Sequence, residues 1–422
     1  MLDIKFIREN PKLLQKACKD KNFLVDIDKL LELDAFITLK QRELESLQLE
    51  RNQKSKQIPQ VSPQEREVLK DEVTEIKKQM GDLEGPLREK KEEFDELMLY
   101  VPQPAREDVP VGKDDSHNVE IMTYGKIRDF DFEPKDHITL GKDLDIIDFE
   151  RGAKLSGSRS YVLKKEGTLL EHAVLQFAMD MLEERGFTPM SVPILVNEDV
   201  MKGTGYFPLG REQAYCVEKD NMALIGTSEV PLCSYHSDEI LDESVLPLRY
   251  MAKTACFRRE AGTYGKDTKG LYRVHQFNKV EMVVIARHDK EESERLHEEI
   301  LKNAEDLLKA LELPYRKVYV CTGDLGQGQV RKHDLETWMP SRKAYSETHS
   351  CSTFYDYQSR RLKMRYKDKE DGKNKLTYTL NNTACATPRI LIPLLENHQE
   401  KDGRVRIPEC LRKYMGGRTH IG

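Results

Sequence analysis

No stretch of the sequence approaches the ~20 consecutive apolar residues of a membrane-spanning helix. Its opening, MLDIKFIREN, alternates charged with apolar residues where a secretory signal would carry an apolar core. Both absences point to a soluble, cytoplasmic protein. The eight cysteines, at positions 18, 216, 233, 256, 321, 351, 385 and 410, are scattered. With no Cys-x-x-Cys pair and no His-rich tract beside them, they argue against a disulfide framework or a structural zinc site; buried free thiols in a reducing compartment are expected. A glycine-rich phosphate loop of either common nucleotide-binding type is also missing. Any nucleotide must be held by other means.

What is present divides in two. A chain of 422 residues exceeds one ordinary domain. Its 38% hydrophobic residues can fill a core, while 34% charged residues imply a segment with little interior. The net charge of −6 excludes a surface that is everywhere a polyanion trap, although a local basic patch suffices to bind RNA.

Apolar residues in steps of three and four mark that segment. Leu30, Leu33, Ile37, Leu44 and Leu47 share one helical face with Lys40. A second stripe runs Leu69, Val73, Ile76, Met80, Leu83, Leu87, Phe94, Leu97 and Val101, with Lys90 in the series. Such spacing keeps a seam facing a partner helix. QIPQVSP (57–63) separates the stripes, and its prolines cannot continue a helix. Two antiparallel helices follow, each roughly 50 Å long at 1.5 Å per residue. Periodicity alone fits a plain dimerisation coiled coil equally well. Gly81, Gly85 and Pro86 spoil the second stripe and predict a bend or weak spot. Residues 27–100 hold 13 Lys/Arg against 18 Asp/Glu, so the arm is no basic rod, yet Arg51, Lys54 and Lys56 stand at its tip with no acid between 51 and 64.

The proline-punctuated YVPQPARED (100–108) reads as a linker, giving domains 1–104 and 105–422. Beyond it, Leu170, Val174, Phe177 and Met181 form a helical stripe ended by Gly186. Strands are predicted around 188–195, 249–257, 278–286 and 315–321, with a helix over 289–312. The expected class is α+β: a helical coiled-coil arm, then a largely antiparallel sheet flanked by helices.

The segment CFRREAGTYGKDTKGLYRVHQFNKVEM (256–282) says most about chemistry. A strand ends in Phe257-Arg258-Arg259-Glu260, a loop with glycines at 262, 265 and 270 follows, and a second strand returns through Phe277 to Glu281. Such a hairpin can offer an arginine to a phosphate, a carboxylate to an adenine amino group and an aromatic ring to its face. Arginine and glutamate two apart on a strand also describe an ordinary surface ion pair. Other pieces co-occur in order, however. GFTPMSVPIL (186–195) is similar to the first motif of class II aminoacyl-tRNA synthetases. The hairpin, with Arg273 and Phe277, resembles the second, and TLNNTACATPRILIPLLE (379–396), bearing Arg389, the third.

Within that class the chain resembles the seryl-tRNA synthetases over nearly its whole length. MLDIKFIRENP with the helical hairpin, GTGYFP (203–208), Thr227-Ser228-Glu229, the 261–281 segment and ENHQ (396–399) are family-like. Only 33 residues follow Arg389, too few for the anticodon-binding domain of the related proline and threonine enzymes. The resemblance implies a ligase that activates serine with ATP and Mg²⁺, transfers it to tRNA, including the selenocysteine tRNA where one exists, and works as a homodimer. It implies Arg258 on the α-phosphate, Arg273 on the γ-phosphate, Glu260 on the adenine amino group beside Arg259 and Val274, and Phe277 and Arg389 sandwiching the adenine. It further implies Glu347 and Ser350 as metal ligands, with Thr348 and His349 between them at the ATP site. Thr227, Ser228 and Glu229 would lie on the amine side of serine, near Arg258, with Glu281 and Thr383 on its hydroxyl. Read singly, Thr383 suits a helix N-cap. Arg51, Lys54 and Lys56 are expected to meet tRNA, as are Lys266 and Lys269, which also read as ordinary solvated loop lysines. The third motif departs from the family's pattern in lacking glycines near its arginine. A non-catalytic protein keeping the domain as a scaffold would have lost the ATP-site residues, and a ligase charging carrier proteins would lack the arm. Both are present.

Overall fold

The computed structural model describes residues 1–262 and 269–422 and divides into two compact units, Leu2–Pro102 and Gln103–Gly422. The first is helical: α1 (Ile4–Glu9), α2 (Pro11–Asp20), α3 (Ile27–Gln57) and α4 (Pro63–Met98). Asp26 caps α3, its carboxylate accepting from Lys29 N at 2.9 Å. Between the long helices, residues 58–60 tighten into a single 3₁₀ turn. Ser62 then starts α4 in a reciprocal box with Glu65, and Pro63 occupies the first helical position, where its missing N–H costs nothing. The seam buries Leu30 and Leu33 on α3 and Val73, Ile76, Met80 and Leu87 on α4. Lys29 and Glu93 tie the helices across it, 2.5 Å apart.

At residues 81–86 the expectation of a weak spot meets an unbroken helix, with Pro86 accommodated inside it. A methyl group at Gly81 or Gly85 would meet no atom within 4 Å. The glycines therefore serve no packing need in the arm.

The second unit is built on an eight-stranded sheet: β1 (Val119–Tyr124), β2 (Thr188–Met190), β3 (Leu248–Phe257), β4 (Gln276–Ala286), β5 (Tyr315–Tyr319), β6 (Arg331–Met339), β7 (Ala344–Tyr355) and β8 (Tyr378–Thr387). The order is β1-β5-β6-β7-β8-β4-β3-β2. Every pairing is antiparallel except that of β2 with β3. Helices α5 (Lys165–Glu184), α6 (Glu229–Ser234), α7 (Lys290–Ala310), α8 (Tyr357–Leu362) and α9 (Leu391–His398) complete the frame. Asp289 caps α7 by accepting from Glu291 N and Glu292 N, and Gly186 follows α5 at a φ of 82°. The strand predicted over 188–195 is instead two: β2, and Leu195–Asn197, which joins a separate three-stranded sheet with Met222–Leu224 and Tyr215–Val217.

Strand alternation sorts the sheet's two faces. On β4, Val280, Met282 and Val284 pack with Leu170 and Val174 of α5, Ile300 and Leu307 of α7, and Leu394 of α9 in one core cluster. Phe277, Lys279 and Glu281 point the other way, into a cavity. Bulges at Thr348 and Ala384 shift the register of β7 against β6 and of β8 against β4 beside that cavity.

Replacing Gly81 or Gly85 with alanine is expected to stabilise the arm by about 0.5–1 kcal/mol each. Amide hydrogen exchange along α4 reads this directly. Slower exchange is the expected outcome, and faster exchange would mean that the helix needs glycine there.

Candidate active site

The cavity, about 310 Å³, opens on the polar face of β4, β6, β7 and β8, beside the end of β3. Its lining carries Thr227, Glu229, Arg258, Glu260, Val274, Phe277, Glu281, Glu347, Thr348, Ser350, Thr383 and Arg389, twelve of the residues singled out from sequence. They come from six separate segments of chain. Arg258, just past the end of β3, turns its guanidinium over the Phe277 ring, 5.2 Å from the centroid, and donates from Nε to the Gly226 carbonyl at 3.3 Å. Arg389, between β8 and α9, lies 4.3 Å over the Tyr272 ring and donates to the Glu347 carbonyl at 3.2 Å. Arg342 covers Tyr272 as well, 3.9 Å from the centroid.

Thr383 sits within β8, opposite Glu281 of β4, and not at a helix start. Arg273 is not part of the lining; it stands beside it, with a guanidinium nitrogen 3.4 Å from Glu260 Oε2. Glu260 adopts a φ of 52°, a left-handed conformation in which the chain turns out of β3. Ser228, Arg259 and His349 are likewise absent from the lining. Ser228 Oγ is buried and shares a 2.7 Å hydrogen bond with Thr254 Oγ1. Arg259 is exposed. His349 alternates to the far side of β7, where Nε2 meets the Ala384 carbonyl at 3.0 Å. Burial pushes its imidazole down to about 4, leaving it neutral at physiological pH.

Charge governs the site. Enclosure opposes ionisation of Glu347, yet Lys332, Arg389, Arg258 and Arg273 together hold its carboxyl below the ordinary value. Glu229 behaves oppositely: burial, and then the Glu281 charge, push it up to about 7, against the pull of a 2.7 Å hydrogen bond from Gln358 Nε2 on α8. Among the described residues, no group of three or more His, Cys, Asp or Glu side chains is placed to hold a metal alone. Glu347 and Ser350 on β7 supply two hard oxygens facing the cavity. That donor set fits a Mg²⁺ ion that keeps waters and takes its remaining ligands from substrate phosphates.

The cavity also holds groups that reading the sequence missed: Tyr206, Lys279, Gln329, Lys332 and Asn381. Lys279, two residues before Glu281, was recoverable from the period of the strand. Asn381 is buried, and its Nδ2 has no hydrogen-bond partner among the described residues. The tRNA candidates differ in their surroundings. Lys54 at the arm's tip is engaged, 2.7 Å from Glu72 and 3.2 Å from Glu50, so an acid-free stretch of sequence is not acid-free in space. Arg51 is half-buried and Lys56 exposed. Lys269 is exposed, and Lys266 lies outside the described residues.

Residues 1–104 match the family model described as the seryl-tRNA synthetase N-terminal domain, and residues 215–398 that of the tRNA synthetase class II core domain (G, H, P, S and T). A curated serine–tRNA ligase of Deinococcus radiodurans is 48% identical over 423 residues, an alignment covering 100% of this chain and 99% of the relative. Among solved structures, seryl-tRNA synthetase from Pyrococcus horikoshii complexed with ATP superposes with a TM-score of 0.92 at 41% identity, covering 100% of this chain and 99% of the other. Cytoplasmic serine–tRNA ligase from Naegleria fowleri in complex with AMP gives 0.86 at 31% identity, over 100% and 98%.

Proposed function

The chain belongs to the seryl-tRNA synthetase family, whose members are aminoacyl-tRNA synthetases joining serine to tRNA, and from that premise we propose that ATP and serine react in the cavity between β4 and β8. One observation carries the reading: cations for a triphosphate, an aromatic face for a base and paired carboxylates for an ammonium all line a single 310 Å³ space. ATP as substrate is further supported by the nucleotides bound in the two related structures.

In this reading the adenine lies between Phe277 and Arg389, its amino group toward Glu260 and its edge on Val274, while Arg259 and His349 stand outside the lining. A guanidinium above a ring and an aromatic below it suit a flat, electron-rich base. Arg258 takes the α-phosphate and Arg273 the γ-phosphate. Glu347 and Ser350 hold Mg²⁺, which when bound neutralises triphosphate charge. Serine sits deeper, its ammonium at Thr227 and Glu229, with Ser228 buried behind them, and its hydroxyl toward Glu281 and Thr383. A pocket that pairs a hydroxyl rejects an analogue lacking it by about 10⁴–10⁵, because its own polar groups are left unpaired.

The first step needs no general base. The serine carboxylate, already ionised, attacks the α-phosphorus in line and pyrophosphate leaves. Arg258 both orients the carboxylate and offsets the charge that develops on phosphorus, so the rate comes from positioning and electrostatics. The acyl group then passes to the 3′-terminal adenosine of tRNA. Residues 1–104 form the tRNA-binding domain and 105–422 the catalytic domain, with Arg51, Lys54 and Lys56 meeting the RNA backbone and Lys266 and Lys269 the acceptor stem. Since Lys54 already pairs with two glutamates, Arg51 and Lys56 carry more of that attraction. The enzyme works as a homodimer in the cytoplasm and serylates the selenocysteine tRNA where one exists. Ile194 and Leu195, exposed at the end of the first-motif segment, support the pairing of two chains; among the described residues no helix is long and apolar enough to cross a membrane.

Arg258→Ala is expected to lower serine-dependent ATP–pyrophosphate exchange by about 10²–10³-fold; unimpaired exchange removes the assignment. Replacing Arg51, Lys54 and Lys56 together with glutamine is expected to weaken tRNA binding and flatten its dependence on salt, by roughly 0.7–0.9 in log–log slope for each phosphate no longer neutralised. Unchanged affinity and slope would mean that the RNA is gripped elsewhere.

A further inference from the structure

Lys279 plays no role in holding the nucleotide, yet it stands at the centre of the amino-acid end of the cavity. It lies on β4 between Phe277 and Glu281, and all three face the cavity. Only 5% of it is exposed. An ammonium buried so deeply must be paired to persist. Its Nζ donates to Thr227 Oγ1 at 2.7 Å and stands 2.5 Å from Glu281 Oε2. Thr227 Oγ1 also accepts from the backbone N–H of Glu229 at 3.2 Å. One lysine thus links groups on both sides of the serine pocket. With Arg258 committed to the carboxylate and α-phosphate, two carboxylates face one ammonium, leaving one negative charge uncompensated. A single protonated α-amine supplies the balance.

We propose that Lys279 is a positioning residue for the amino-acid substrate: its ammonium fixes the Thr227 hydroxyl and the Glu281 carboxylate, and leaves Glu229 as the carboxylate that the substrate's α-ammonium must neutralise. This rests on the reading that serine occupies this cavity. It commits the site to substrates with a free, protonated α-amine and excludes N-acylated and 2-hydroxy-acid analogues. The groups facing Glu229 are Glu281 and Lys279 from β4, Arg258 past β3, Gln358 from α8 and Cys233 from its own helix, a thiol that burial and the two carboxylates keep protonated. Burial and Glu281 push the Glu229 carboxyl up to about 7, while Lys279 is among the groups pulling it down. A protonated Glu229 cannot pair with an ammonium, so serine binding weakens as pH falls through that value. Loss of Lys279 removes a downward pull and moves the acid limb to higher pH.

The test uses the full-length protein in ATP–pyrophosphate exchange between pH 6 and 9, comparing wild type with Lys279→Met, Lys279→Gln and Lys279→Arg. Both neutral variants are expected to raise the KM for serine at least about tenfold with the KM for ATP changed less than about threefold. The acid limb of kcat/KM for serine should rise by at least about half a pH unit, and arginine should restore part of the loss. A serine KM within about twofold of wild type, or parallel losses for both substrates with an unmoved acid limb, would overturn the role of Lys279. Should the methionine variant fail to fold, the glutamine variant decides. Wild-type exchange that does not depend on serine would instead overturn the proposed function itself.

Discussion

Opposite charges held together on one face of an antiparallel sheet govern how the catalytic unit is built. β4 shows the division most plainly: Val280, Met282 and Val284 join the helices α5, α7 and α9 in the main core, while Phe277, Lys279 and Glu281 face the cavity. A glycine-rich loop would grip a nucleotide through backbone N–H groups. Here side chains do it, and guanidinium groups aimed into a half-enclosed space must be balanced before any ligand arrives. Glu347 offsets part of that charge, and Lys332, Arg389, Arg258 and Arg273 in turn hold its carboxyl below the ordinary value. Glu229 and Glu281 do so around Lys279.

The same arrangement explains how two ligands of different charge share one space. In the proposed reading, the end rich in guanidinium groups is prepared for the polyanionic triphosphate. The end holding Glu229, Glu281 and Lys279 is one negative charge out of balance and, in the same reading, prepared for the ammonium of serine. Neither end needs a proton to move for the carboxylate to attack, so the protein's contribution is fixed geometry in a low-dielectric pocket. That geometry is set by strand register. The bulges at Thr348 and Ala384 lie beside residues that line the site, where a one-residue shift re-aims side chains.

Much of this was legible in the sequence because some residues carry their own geometry. The 3/4 spacing of Leu30, Leu33, Val73 and Ile76 marked the arm, and the prolines of QIPQVSP (57–63) its turn, while the reciprocal cap of Ser62 and Glu65 emerged only in the structure. The hairpin from Arg258 to Glu281 was legible because two further class II-like motifs flank it in order; alone, its arginine and glutamate also describe a surface ion pair. Lys279 and Lys332 were overlooked because an isolated lysine in a strand looks solvated until its neighbours in space are known. Lys54 seemed free of acids because Glu50 lies just before the acid-free stretch, one helical turn back, and Glu72 is 18 residues away along the chain and adjacent only across the seam. Pro86 does not break α4 because a helix packed along one face tolerates a missing hydrogen bond that an isolated one does not. The division of 188–195 between two sheets depends on pairings with β3 and with residues 222–224, which local propensity does not encode.

Whether one cavity holds the nucleotide and the amino acid together is best decided by a crystal structure with a non-hydrolysable seryl-adenylate analogue. The expected result is an adenine between Phe277 and Arg389 and a seryl ammonium within hydrogen-bond reach of Thr227 and Glu229. An analogue bound elsewhere, or one whose adenine avoids Phe277 and Arg389, would contradict that arrangement.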